Sequence, residues 1–126
     1  MKVAVYCRVA CADQLAMDKQ TETVKSYAME QGYHVVRCIT DNGVSGFQNK
    51  TSIAQLVGMA KEKQIEAVVC QDPSRLTRDY SRYHTIEREL VEHGCKVVFL
   101  PPYETQADEI KGVAELLERY GKKGKV

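Results

Sequence analysis

Four short valine-rich runs constrain this chain more than any other feature. Lys2 to Cys7, Tyr33 to Thr40, Ala67 to Cys70 and Lys96 to Leu100 are brief, apolar and rich in β-branched residues, and they read as strands. Helical stripes fill the intervals. Asp13 is placed to cap a helix over Met17 to Glu30, with Val24, Tyr27 and Ala28 on one face and Gln31-Gly32 at its end. Ser52 is read as the cap of a second helix carrying Ile53, Leu56, Val57 and Ala60, with the exposed Lys61-Glu62-Lys63 after it. Tyr83, Ile86 and Leu90 mark a third, closed at Gly94, and Pro101-Pro102 stops the fourth strand. A last stripe at Ile110, Val113, Ala114 and Leu117 precedes a basic tail, Gly121 to Val126. Strands alternating with helices imply right-handed βαβ units. The expected architecture is a mostly parallel α/β sheet of four or five strands with helices on both faces.

At 126 residues the chain is expected to form one domain, residues 1–126. A formal charge of +1 argues against global attraction to nucleic acid, so any such contact must come from a local patch. The five cysteines, Cys7, Cys11, Cys38, Cys70 and Cys95, are odd in number and contain no C-x-x-C pair, a poor framework for disulfides or zinc. Cys7, Cys38 and Cys70 are expected in the core, whereas Cys11 lies in the turn after the first strand. His34, His84 and His93 show no ligand spacing and are expected at the surface. The start carries no signal peptide and no run is long enough to span a membrane, so the expected compartment is the cytoplasm.

Three polar segments follow three successive strands: Arg8 to Gln14, Asp41 to Lys50, and Ser74 to Arg78. In a parallel sheet all three leave the same edge, where open α/β folds place their ligands. Together they offer Arg8, Lys50, Arg75 and Arg78, with Asp41, Ser45, Ser74, Gln14 and Gln20 among them. Several cations facing a few hydroxyls and a carboxylate suit a phosphate that gains charge in its transition state. Blander readings exist: Arg75 and Arg78 paired with Asp72 or Asp79, Arg8 paired with Asp41, and Asp41 as a turn former.

These segments carry a specific likeness. Tyr6-x-Arg8-Val9, followed by Gln14, resembles the opening motif of the serine recombinases, the resolvase and invertase family. Asp41-x-Gly43-x-Ser45-Gly46 resembles that family's D-x-G-x-S-G segment, and Ser74-Arg75-Leu76-x-Arg78 its (D/S)-R-L-x-R segment. Gln20 matches a second glutamine in the first helix. Three ordered blocks span residues 3 to 78, and the likeness continues to about Leu100.

The resemblance implies a flavodoxin-like fold and a phosphoryl transfer that needs no metal, ATP or other cofactor. A serine hydroxyl attacks a DNA phosphodiester, forms a 5′-phosphoserine bond and frees a 3′-hydroxyl. After strands rotate within a tetramer, that hydroxyl attacks the phosphoserine and rejoins the DNA. By position, Arg8, Arg75 and Arg78 would hold the scissile phosphate, Gln20, Asp41 and Ser45 would order their surroundings, and Ser74 would cap the arginine segment. Gln14, Lys50, Ser74 and Arg82 would contact DNA or phosphate, Lys50 standing where the family usually has arginine. The partners implied are double-stranded DNA at a specific recombination site and further copies of the parent chain, as a dimer and as a tetramer in synapsis.

One position departs from the pattern. Ala10 stands where the family carries its nucleophilic serine, and a methyl group has no oxygen to attack with. Cys11 is adjacent, but a one-residue shift re-aims its side chain. The expected function is therefore a recombinase catalytic domain inactive in cleavage. The family's long dimerising helix is expected to be only begun here, and its C-terminal DNA-binding region to be absent. Two histories fit: a serine-to-alanine change in an excised domain, or natural loss of catalysis in a DNA-associated or protein-interaction module. A nucleotide-binding or signalling α/β domain is the rival class, and both G-x-G-x-x-G and the Walker pattern are missing.

Overall fold

The computed structural model describes residues 1–101. The elements run β1 (Lys2–Val9), α1 (Gln14–Glu30), β2 (His34–Asn42), α2 (Lys50–Lys61), β3 (Ala67–Cys70), α3 (Pro73–Leu76), α4 (Tyr80–Glu92) and β4 (Lys96–Phe99). The four strands form one sheet in the order β2-β1-β3-β4, and every pairing is parallel. The last helical stripe, Ile110 to Leu117, and the basic tail lie outside the described residues.

Alternation along β1 divides the core in two. Val3, Val5, Cys7 and Val9 pack with Ala67, Val69, Val98 and Leu100 against Met17, Val24 and Ala28 of α1. Ala4 and Tyr6 pack with Val68, Cys70, Val97 and Phe99 against Ile53 and Leu56 of α2 and Tyr83, Ile86 and Leu90 of α4. Helices therefore cover both faces, as the strand–helix alternation implies.

The order 2-1-3-4 creates a switch point. The chain leaves β1 toward one edge of the sheet, returns past it, and continues toward the other. Beyond the carboxyl ends of β1 and β3 the two connections diverge and leave a crevice.

Local signals explain most boundaries. The Asp13 carboxylate accepts from Ala16 N at 3.0 Å and starts α1. Gly32 and Gly94 end α1 and α4 with positive φ, a backbone region that glycine enters without a Cβ clash. Two starts differ from the sequence reading. The residue before α2 is Asn49, which makes no side-chain cap bond, and Ser52 sits inside the helix with its hydroxyl turned to Asp41 instead. The Arg75 segment is capped by Asp72 and not by Ser74, whose N and hydroxyl both donate to the Asp72 carboxylate. Asp79 caps α4 in the same way, accepting from Ser81 N and Arg82 N.

The strands also reach further than their apolar runs. Arg8 pairs with Asp41 and Val9 with Asn42 along the β1–β2 ladder, because ladder bonds are made by backbone and ignore side-chain polarity. Cys38 is half-buried rather than in the core, since β2 is the edge strand of the sheet among the described residues. Cys7, Cys70 and Cys95 are buried, Cys11 is exposed, and all five thiols are free.

Candidate active site

β1 outruns β3. Their ladder ends at Val5–Val69, so the backbone of Arg8 has no strand beside it on that side. The Gln20 amide fills the gap from α1: Arg8 N donates to Oε1 at 3.0 Å and Nε2 donates to Arg8 O at 3.2 Å. Arg75 Nη1 donates to the same carbonyl at 3.0 Å. Gln20 is itself buried, so it serves as a substitute strand at the tip of β1.

The Arg8 side chain leaves on the opposite face and is only 1 % exposed. Its guanidinium donates through Nε to Arg75 O at 2.9 Å, through Nη1 to Val44 O at 3.0 Å, and through Nη2 to Ser74 O. One buried cation thus clasps the loop after β2 and the helical turn after β3. Burial lowers its pKa, and the nearby charges of Arg75 and Arg78 push the same way. Arg8 is not ion-paired with Asp41.

Asp41 has other partners. The Tyr6 hydroxyl donates to Oδ2 at 2.6 Å and the Ser52 hydroxyl to Oδ1 at 2.9 Å. Asn49 Nδ2 donates to Tyr6 Oη at 3.0 Å and to Leu76 O at 2.8 Å. This chain of bonds joins β1, β2, the start of α2 and α3 beneath the crevice. Burial raises the Tyr6 pKa far above its ordinary value, and the hydrogen bond to Asp41 adds to the rise. The hydroxyl therefore stays protonated and donating.

Above this layer lies a polar rim. Ala10 is exposed one residue past β1. Its turn is held by Asn42, whose Oδ1 accepts from Asp13 N at 2.9 Å and whose Nδ2 donates to Gln14 Oε1 at 3.2 Å; Gln14 Nε2 in turn reaches Asp18 at 2.7 Å. Gly43 lies so close that a Cβ there would meet Ala12 Cβ at 3.0 Å. Ser45 Oγ accepts from Phe47 N at 3.2 Å, and Ser74 Oγ donates to Asp72.

The cations differ in what occupies them. Arg75 Nη2 donates to Gln71 Oε1 at 3.0 Å, and its Nε lies 3.7 Å from Asp72 Oδ2 without a hydrogen bond. Arg82 Nη1 donates to Gly46 O. Arg78 and Lys50 are exposed and make no hydrogen bond or ion pair among the described residues.

The structure thus brings Arg8, Gln20, Asp41, Ser74 and Arg75 together around the ends of β1 and β3, with Lys50, Arg78, Arg82 and Ser45 on the elements that surround them. Sequence reasoning missed Asn49, whose burial under the crevice no local pattern announces. It also left Asn42 and Asp72 unassigned; aspartate before Pro73 is itself a cap signal. Among the described residues no group of three or more His, Cys, Asp or Glu is arranged to hold a metal, and no helix is long and apolar enough to cross a membrane.

The molecule is thus a parallel α/β domain whose switch point gathers arginines from two strand exits. The comparisons with known proteins are specific. The family model described as the resolvase N-terminal domain matches residues 3–120. The chain belongs to that family, the serine recombinases, whose activity is site-specific recombination. It is similar in fold to the N-terminal catalytic domain of TP901-1 integrase, with TM-score 0.79, 19 % identity and 98 % of each chain covered. It is similar also to the C-terminal catalytic domain of ISC1926 TnpA, an IS607-like serine recombinase, with TM-score 0.74, 23 % identity, and 94 % of this chain and 80 % of that one covered. A resolvase family site-specific recombinase from Streptococcus pneumoniae gives TM-score 0.74 and 18 % identity over 97 % of this chain and 91 % of its own.

Proposed function

We propose that this chain is the DNA-phosphate-binding catalytic domain of a site-specific recombinase, with Ala10 in the place of the attacking serine and no capacity to cleave. The observation that carries the reading is the pairing of an exposed Ala10 at the tip of β1 with Arg75, whose guanidinium is bonded to the carbonyl of Arg8 two residues earlier. Arg75 and Arg78 hold the phosphate, Lys50 and Arg82 add charge at the rim, and Arg8 contributes its positive charge from beneath. Gln20, Asp41, Ser45, Gln14 and Ser74 keep those groups in place. The chemistry draws on no metal or cofactor. The partners are double-stranded DNA carrying a recombination site and further copies of the parent chain, in the cytoplasm.

Ala10→Ser tests the catalytic half of this reading. Incubated with nicked DNA bearing the recombination site, the serine variant is expected to trap a covalent protein–DNA adduct that survives denaturation, and the unaltered chain to trap none. An adduct formed by the unaltered chain would show that another residue attacks. The binding half is tested by titrating inorganic phosphate and following backbone amides by NMR. Shifts centred on Ala10, Arg75 and Arg78 are expected, and shifts centred elsewhere would overturn the assignment.

A further inference from the structure

Seven aromatic residues lie within the described residues, and their burial is uneven. Tyr6, Tyr83 and Phe99 are buried, and Tyr27 and Tyr33 are half-buried. Only Phe47 and Tyr80 stand in solvent, 61 % and 77 % exposed. Both stand next to a close approach between the loop after β2 and the segment that enters α4. Gly46, the residue before Phe47, packs so closely on α3's exit that a Cβ would meet Arg78 N at 3.2 Å and Thr77 Cα at 3.4 Å. Tyr80, the first residue of α4, follows Arg78 by two positions, and Arg82 from the same helical turn donates to Gly46 O. Phe47 and Tyr80, both exposed, therefore adjoin the contact between Gly46 and the Thr77–Arg82 segment.

Neither ring has a packing reason to be there. Phe47 N donates to the Ser45 hydroxyl at 3.2 Å, while the largest side chain of the loop is left in water. The Tyr80 ring rests edge-on against His84, with centroids 4.3 Å apart at 83°. It is held in place without being covered. Exposed rings beside a cation that has no partner among the described residues, here Arg78, are the arrangement that single-stranded nucleic acid uses, with phosphates on the cations and bases on the rings.

We infer that Phe47 and Tyr80 form a stacking platform for an unpaired DNA base adjoining the phosphate held at Arg78. This rests on the DNA-binding reading above and adds to it a preference for DNA whose bases are locally unstacked. Stacking tolerates any base, so the platform confers no sequence specificity.

The test compares fluorescein-labelled duplex DNA with the same duplex carrying a short single-stranded gap, by anisotropy across a series of salt concentrations. The unaltered chain is expected to bind the gapped DNA more tightly. Phe47→Ala and Tyr80→Ala are expected to weaken gapped binding about tenfold each while leaving duplex binding and the salt dependence unchanged. Tyr80→Phe, which keeps the ring, is expected to restore it. Arg78→Ala should instead weaken both DNAs and lower the salt slope by about one. The chain has no tryptophan, so Phe47→Trp adds a unique fluorophore whose emission should be quenched by gapped DNA. Equal binding of gapped DNA by the alanine variants and the unaltered chain would overturn the platform alone. Failure of the unaltered chain to bind either DNA would overturn the DNA reading and the platform with it. If the alanine variants lose only self-association, measured by sedimentation, the two rings form an interface between copies and the inference fails.

Discussion

The two layers of the crevice contrast sharply. Below, Arg8, Gln20, Tyr6, Asp41, Ser52 and Asn49 share bonds that join β1 to α1, to β2, to α2 and to α3. Above, Ala10, Lys50 and Arg78 are exposed, and neither cation has a partner among the described residues. The lower layer is polar but behaves as core, because a buried donor or acceptor left unmatched costs more than a matched one gains. The upper layer is free to bind because nothing among the described residues competes for it. The same residue type, arginine, therefore serves two purposes a few residues apart, and burial decides which.

The strongest way to break this contrast is to exchange arginine for a neutral side chain in each layer. Arg8→Met removes three donors from partly buried carbonyls and is expected to cost about 3–5 kcal/mol, because an acceptor left unsatisfied costs about 1–3 kcal/mol. Arg78→Ala should change stability by no more than about 0.5 kcal/mol while abolishing the phosphate-induced shifts. Urea denaturation of both variants checks the pair. Equal small losses would mean that the Arg8 clasp is dispensable and that the layers differ only in exposure.

The thiols draw the same line with pH. Burial pushes the Cys7 thiol up from 9.0 to about 11, and it pushes Cys95 up to about 12. A raised folded-state pKa means that the unfolded chain loses its proton first. Stability is therefore full below about pH 9 and is lost as pH climbs toward the folded value of about 11. For Cys7 the loss amounts to roughly 3 kcal/mol. Denaturation midpoints measured from pH 8 upward should fall, and Cys7→Ala should flatten the first part of the fall. A flat profile in the unaltered chain would show that the β1 core admits water. At neutral pH, iodoacetamide should label the exposed Cys11 in the folded chain well before Cys7.

Tyr6→Phe probes the lower layer one bond at a time. It strips a donor from Asp41 and an acceptor from Asn49, whose Oδ1 already lacks a partner. A loss of about 1–3 kcal/mol is expected by chemical denaturation, with the phosphate-induced shifts retained. Loss of phosphate binding at full stability would assign the tyrosine to the ligand instead.

The same division marks what the sequence discloses. Strands, helix ends and the convergence of three polar segments are legible because they depend on local chemistry: valine runs, Asp13 before α1, Gly32 and Gly94 after helices. The rim is legible for the same reason, since Arg78 stands in a recognisable motif and needs no partner. The lower layer is not. Arg8 bonds to carbonyls 36 and 67 positions away, and backbone carbonyls carry no residue identity that a motif can show. The reading of Ser52 as a cap fails on the same ground. Its hydroxyl is claimed by Asp41, which the longer β2 brings within reach, so a tertiary bond outcompetes a local one.

Lys50→Arg is the finest test of the rim. Lys50 is exposed, opens α2 and has no hydrogen bond among the described residues, so their fold does not depend on its head group. Stability should change by no more than about 0.5 kcal/mol. An ammonium offers a phosphate one compact charge, whereas a guanidinium offers two parallel N–H bonds in a plane. If Lys50 faces the phosphate held at Arg78, the arginine variant should tighten phosphate binding a few-fold, read from the same NMR titration. Unchanged affinity, alongside its loss in Arg78→Ala, would confine the site to the arginines of the α3 segment. Lys50 would then contribute only its charge to the approach of DNA, an effect that salt largely screens beyond about 10 Å at 0.1 M.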